Sequence, residues 1–144
     1  MPAVIRAIQE RDYPAVAVLW RNVLDVPVTD GELAETYAKM AEDDRYATFV
    51  AEEDGTIVGL VTTVTALAIG HPGGYTKVNG LGVLPAYRRR GIGRRLLERA
   101  EALAVENGTR YVGLASGLSR ENAHEFYSHL GYQKTSYWFR KRLP

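Results

Sequence analysis

The feature that most constrains this chain is the run over residues 77–112, where an extended segment meets a glycine loop, an amphipathic helix and a second extended segment. Residues 77–83 read as a strand. Leu84-Pro85-Ala86-Tyr87 and three arginines then lead into Gly91-Ile92-Gly93. Beyond the loop, Ile92, Leu96, Ala100, Leu103 and Ala104 recur at helical spacing, and Asn107-Gly108 supplies a stop. Residues 111–115 are extended again. Strand, loop, helix and strand in this order form a βαβ unit, whose strands run parallel with a right-handed crossover.

The flanking segments supply the rest of an α/β domain. Residues 3–8 read as a first strand. Asp12 caps a helix with Pro14 in its first turn, and Val16, Leu19, Trp20 and Val23 give that helix an apolar stripe. Thr29-Asp30-Gly31-Glu32 has capping-box spacing ahead of a second apolar face formed by Leu33, Tyr37, Met40 and Ala41. Residues 47–53 and 56–67 are strand-like, and the Asp54-Gly55 pair between them signals a tight hairpin. His71-Pro72-Gly73-Gly74 predicts a mobile loop. Residues 122–130 form a last short helix stopped by Gly131. The aromatic tail, residues 132–143, reads as a closing strand or hairpin.

With 144 residues and 46% hydrophobic content, a single domain over residues 1–144 is expected, with a core that needs no staples. No cysteine is present, which removes disulfides, thiolate metal sites and a cysteine nucleophile together. The formal net charge is +1, so no global field selects nucleic acid or an anionic membrane. The first twelve residues lack a long apolar stretch, and the most apolar window, residues 57–70, contains three threonines and is too short to span a bilayer. A cytoplasmic protein is expected.

The loop has the physics of a phosphate site. A helix N-terminus presents unpaired N–H groups and the positive end of the macrodipole. Gly91 and Gly93 let the backbone approach a bulky pyrophosphate closely. Arg88, Arg89, Arg90, Arg94 and Arg95 fall within eight residues. Positive charge at a helix N-terminus is unfavourable unless an anion joins it, although an isolated basic run is more commonly a solvated face. Other phosphate signatures fail. There is no Walker A sequence, and Leu96 stands where the dinucleotide pattern needs a third glycine.

Residues 82–97, Gly-Val-Leu-Pro-Ala-Tyr-Arg-Arg-Arg-Gly-Ile-Gly-Arg-Arg-Leu-Leu, resemble the signature segment of the GNAT superfamily of N-acetyltransferases. Arg88, Gly91 and Gly93 match its Arg/Gln-x-x-Gly-x-Gly/Ala pattern. Downstream, residues 122–132, from Asn122 through Phe126-Tyr127 to Gly131-Tyr132, resemble the family's Asn…Phe-Tyr…Gly-Phe segment. The resemblance implies a central mixed, mostly antiparallel sheet with a parallel splayed strand pair and flanking helices. It implies acetyl-CoA as co-substrate, an amine on a small molecule or protein as acceptor, and no metal. Backbone groups of Leu81, Gly82 and Val83 would pair with the pantetheine arm as an added strand does. Amides of Arg88, Arg89, Arg90, Gly91, Ile92, Gly93 and Arg94 would hold the pyrophosphate. Gly80 and Gly82 suit an irregular strand, or simple tolerance near an edge.

Tyr127 is the catalytic candidate that the resemblance implies. Attack of an amine on a thioester releases a thiolate, which a phenol can protonate; packing beside Phe126 is the alternative. Asn122 is a candidate for the cofactor arm, with helix capping as its alternative. Many family members carry a glutamate near Asn79, and an asparagine cannot serve as base, so ordered water with backbone carbonyls, or His71, is left for that role. Asp25, Asp30 and Glu32 are acids on the expected acceptor side, although surface acids are common. Two other classes compete. A non-catalytic coenzyme A sensor on the same fold is favoured by Asn79, and a nucleic-acid module built on the arginines lacks a recognition motif. A homodimer through Tyr137-Trp138-Phe139 is compatible with the resemblance, and a buried strand accounts for those aromatics equally well.

Overall fold

A computed structural model of the chain describes residues 2–144 and divides into two compact units, one ending at Gly113 and one beginning at Leu114. The first unit is built on a sheet with strand order β1-β2-β3-β4-β5: β1 (Val4–Ala7), β2 (Tyr46–Glu53), β3 (Thr56–Ala68), β4 (His71–Val83) and β5 (Val112–Leu114). The pairs β1–β2, β2–β3 and β3–β4 are antiparallel. Asp54 (φ 50°) and Gly55 (φ 81°) turn β2 into β3, as two left-handed residues must in the tightest hairpins. The sheet is the expected mixed, mostly antiparallel one, and the boundary between the units falls inside β5.

Three helices flank it: α1 (Tyr13–Asn22), α2 (Asp30–Ala41) and α3 (Ile92–Glu106). The capping box forms as the sequence predicts, with Thr29 Oγ1 accepting from the Glu32 N–H and Glu32 Oε1 from the Thr29 N–H, both at 3.1 Å. Asp12 stands at the N-cap of α1 without capping it. Its buried carboxylate instead accepts from Arg6 at 2.7 and 2.9 Å and from the Gln9 N–H at 2.8 Å. Charge-assisted bonds outcompete a neutral cap, and they hold the Asp12 carboxyl below its usual range. Arg6 also reaches Glu52 at 2.8 Å, so this one guanidinium ties β1, β2 and the start of α1 together.

Alternation along β3 decides which helix covers which face. Leu60 packs in a cluster with Val16, Ala17 and Leu19 of α1 and with Leu33 and Tyr37 of α2. Gly59 points the other way, where a methyl would lie 3.1 Å from Leu96 of α3. Hence α1 and α2 cover one face and α3 the other. Leu96, Leu97 and Ala100 are fully buried.

Two further sequence expectations fail here. His71-Pro72-Gly73-Gly74 is not a mobile loop but the start of β4. The ladder pairs Ala68 with His71 and Ala66 with Tyr75, so residues 72–74 bulge opposite Leu67. Gly73 (φ 86°) and Gly74 (φ 89°) absorb the extra chain, and a side chain on Gly74 would strike the Ala66 carbonyl. The glycines that look like strand breakers are the residues that let the strand continue.

The second expectation lies in the second unit, which holds α4 (Glu121–His129), stopped at Gly131 with φ 91°. From Tyr132 onward no regular structure follows. Tyr137, Trp138 and Phe139 are 81%, 69% and 90% exposed, so the tail is neither a closing strand nor a buried one. Aromatic content favours a strand only where a ladder exists to receive it.

Candidate functional site

The site-forming stretch begins where β4 ends. Leu84 leads into one turn of 3-10 helix, Pro85–Tyr87, closed by Tyr87 N–H to Leu84 O (2.9 Å) and Arg88 N–H to Pro85 O (3.3 Å). Arg89 (φ 64°) and Gly91 (φ 79°) then take left-handed backbone on either side of Arg90. Only Gly91 does so without strain. The first intrahelical bond of α3 runs from Arg95 N–H to Gly91 O at 3.0 Å. The amides of Ile92, Gly93 and Arg94 therefore precede any intrahelical acceptor and open onto the helix N-terminus. With the macrodipole, they form an anion-binding end. Gly91 leaves open space where a Cβ would stand.

The arginines divide between holding the loop and facing solvent. Arg88 Nε donates to Val83 O at 3.1 Å, and its own amide is committed to the 3-10 turn. Arg90 pairs with Glu53 at 3.0 Å and lies over the Tyr87 ring. Arg94 pairs with Glu98 at 2.7 Å, and Arg95 reaches Ala3 O at 2.7 Å. Backbone amides, more than free guanidinium charge, are thus what the loop offers an anion.

Leu81, Gly82 and Val83 pair with Val61, Leu60 and Gly59 of β3. That occupies one edge of β4. On the other side, Thr76 N–H donates to Tyr111 O at 3.0 Å just before β5 begins. β5 has three residues, and β4 runs alongside residues 59–68 of β3, so β5 flanks about 10 Å of a strand about 30 Å long. The last residues of β4 therefore keep main-chain groups for an extended partner.

Glycines 80 and 82 have a reason that the sequence did not show. A methyl at Gly80 would lie 2.5 Å from Trp20 Cη2, and one at Gly82 would lie 3.1 Å from Val23 Cγ1. The end of α1 lies directly on this stretch. Trp20 Nε1 donates to Tyr37 Oη at 3.1 Å, and Tyr37 Oη bonds Thr62 Oγ1 at 2.9 Å. Trp20, Tyr37 and Thr62 thus join the site as residues that sequence reasoning had assigned only to an apolar stripe, a helix face and a strand.

Asn79 is exposed at a register break. Thr62 pairs with Gly80 and Thr63 with Val78, leaving Asn79 as an extra residue on β4. His71, opposite Ala68 while Asn79 lies between the partners of Thr63 and Thr62, is about 18 Å away along the strand. It packs on the Tyr111 ring at 4.9 Å. That distance excludes it as a base for chemistry at the bulge. Of the acids expected to face the acceptor, Asp30 pairs with Arg21 at 2.7 Å and Glu32 serves the capping box. Among the described residues, no group of three or more His, Asp or Glu is placed to hold a metal ion.

In the second unit, α4 carries both downstream candidates. Asn122 is its second residue and exposed, so it is not the N-cap, which falls to Arg120. Tyr127 is half-buried, with the Phe126 and Tyr132 rings edge-on at 5.3 and 5.9 Å. Burial pushes its phenol above the ordinary tyrosine range, and the charge of Arg120 offsets part of that rise. The phenol is therefore a proton carrier at neutral pH.

A family model described as acetyltransferase (GNAT) family matches residues 5–132. The aminoalkylphosphonate N-acetyltransferase of Salmonella typhimurium is 28% identical over 91% of this chain and 82% of its own length. The IAA acetyltransferase of Azospirillum brasilense is 34% identical over 90% of this chain and 76% of its own. Among solved structures, aminoglycoside N-acetyltransferase AAC(6')-Iy in complex with CoA superposes with a TM-score of 0.86 at 19% identity, covering 98% of this chain and 95% of that one. The fold, the loop at the start of α3 and these similarities agree: this chain belongs to the GNAT family of acetyltransferases.

Proposed function

We propose that the chain transfers the acetyl group of acetyl-CoA to the amine of a small molecule or protein. The observation that carries this reading is the set of N–H groups at Ile92, Gly93 and Arg94, ahead of the first bond of α3 and beside left-handed Gly91. Those groups fit a pyrophosphate, and Arg89 adds charge beside them. Leu81, Gly82 and Val83 offer main-chain groups to the pantetheine arm, and Asn122 offers an amide to it. Bound there, acetyl-CoA supplies an activated acyl carbon. The acceptor amine attacks that carbon directly, and Tyr127, kept protonated by burial, gives its proton to the departing thiolate. With Asn79 at the bulge, the amine proton leaves through water and backbone carbonyls.

The test is thiol release from acetyl-CoA against a panel of primary amines. Amine-dependent release of free coenzyme A supports transfer. Tight acetyl-CoA binding with no release on any amine supports the sensor reading, which the asparagine at position 79 favours.

A further inference from the structure

The glycine loop is tied at both ends to the hairpin of β2 and β3. At its start, Leu84 N–H donates to Val58 O at 2.8 Å. Val58 is an extra residue on β3, since Glu52 pairs with Ile57 and Ala51 with Gly59. At the far end of the loop, Arg90 Nη1 meets Glu53 Oε2 at 3.0 Å, and the guanidinium lies 5.1 Å from the centroid of the Tyr87 ring. Glu53 closes β2 beside the two-residue turn at Asp54-Gly55, and its side chain is only 13% exposed. A carboxylate held this way has little freedom to point elsewhere. The loop needs such a tie, because Arg89 carries the strain of left-handed backbone at φ 64° and keeps it only where its surroundings enforce it. After Arg90 come Gly91 and the open amides of Ile92, Gly93 and Arg94, so the ion pair is the last side-chain fixed point before them.

Resting on the acetyl-CoA reading above, we infer that Glu53 is a positioning residue: by engaging Arg90 it keeps the loop set for the pyrophosphate before the cofactor arrives. A preset loop raises affinity, because the ligand does not have to select a minor conformation. The charge of Glu53 works the other way, since a carboxylate beside an anion site repels the ligand. The two effects have opposite signs, so a binding measurement separates them.

The experiment measures acetyl-CoA affinity by titration calorimetry. Glu53→Gln keeps the shape of the side chain and removes its charge. Affinity should fall about fivefold, the upper end for one exposed ion pair, while unfolding stays cooperative. Glu98→Gln is the comparison, because Glu98 also pairs with an arginine of the cluster, Arg94 at 2.7 Å, but from within α3. Its loss should leave affinity unchanged or slightly higher. Arg90→Gln strands the Glu53 carboxylate beside the loop and should weaken binding more than Glu53→Gln does. Adding Glu53→Gln to it should bring affinity back up to that of Glu53→Gln alone. A merely structural pair would lower stability and leave the affinity of the folded protein unmoved. If Glu53→Gln does not fold, Glu53→Asp carries the readout: the charge stays, the reach shortens by a methylene, and affinity should still fall. Affinity equal to or above wild type in the folded variant at position 53 overturns this inference alone. So does an equal fall in Glu98→Gln, or a double variant weaker than both single ones. Failure of the wild-type protein to bind acetyl-CoA overturns it together with the proposed function.

Discussion

The two units of this chain invest in burial very differently. Among the described residues, every buried one lies between Ala3 and Thr109, and the segment from Leu114 to Pro144 buries none completely. The first unit has leucines and valines without any exposure, a guanidinium joining three elements, and hydroxyl chains bonded through the sheet. The second has a nine-residue helix, ring-on-ring contacts and a tail with exposed aromatics. Under the proposed function, the difference separates holding from reacting. Anion-binding geometry needs rigid backbone, which a packed sheet and helix supply, whereas a proton donor needs only a protected hydroxyl.

Substitutions in the two units should therefore fail in different ways. The largest effect is expected at Tyr127. Tyr127→Phe keeps the ring contacts and removes the proton donor, so single-turnover acetylation should fall about 10²–10⁴-fold, with unfolding free energy changed by about 1 kcal/mol or less. Near-normal turnover would return Tyr127 to a packing role and break the contrast. Leu60→Ala, in the α1–α2 cluster, should do the reverse. It should cost about 2–5 kcal/mol in denaturant unfolding, and turnover of the molecules that stay folded should be near normal. Trp138→Ala sits at the small end, within about 0.5 kcal/mol. A loss comparable to that of Leu60→Ala would mean that the tail has a core of its own.

Legibility in the sequence followed the range of the interactions. The Asp54-Gly55 turn, the Thr29–Glu32 capping box and the Gly108 stop of α3 are set by neighbours, and each forms where the sequence places it. The loop from Arg88 to Gly93 was legible for the same reason, since dihedrals and orphan amides are local. What escaped depends on distant contacts. Nothing near Gly80 in sequence announces Trp20, sixty residues earlier. The partners of Arg90 and Arg95, Glu53 and Ala3, are also remote, so the cluster looked freer than it is. Gly73-Gly74 misled because glycine signals either a loop or a bulge, and only the ladder with Ala66 tells which.

The central claim is that the turn at Gly91 and the amides behind it receive the pyrophosphate of acetyl-CoA. Gly91→Val tests it, with Gly108→Val as its control. Both glycines are left-handed, at φ 79° and 77°, and both have open space around a Cβ, so valine should strain each by a similar amount, about 1–3 kcal/mol. They stand at opposite ends of α3. At a ligand concentration a hundred times Kd, acetyl-CoA should stabilise the wild-type protein by about 2.7 kcal/mol, read as a rise in Tm. That rise should persist in Gly108→Val and vanish in Gly91→Val while the protein still folds. An undiminished rise in Gly91→Val would contradict the assignment and move the cofactor away from this loop.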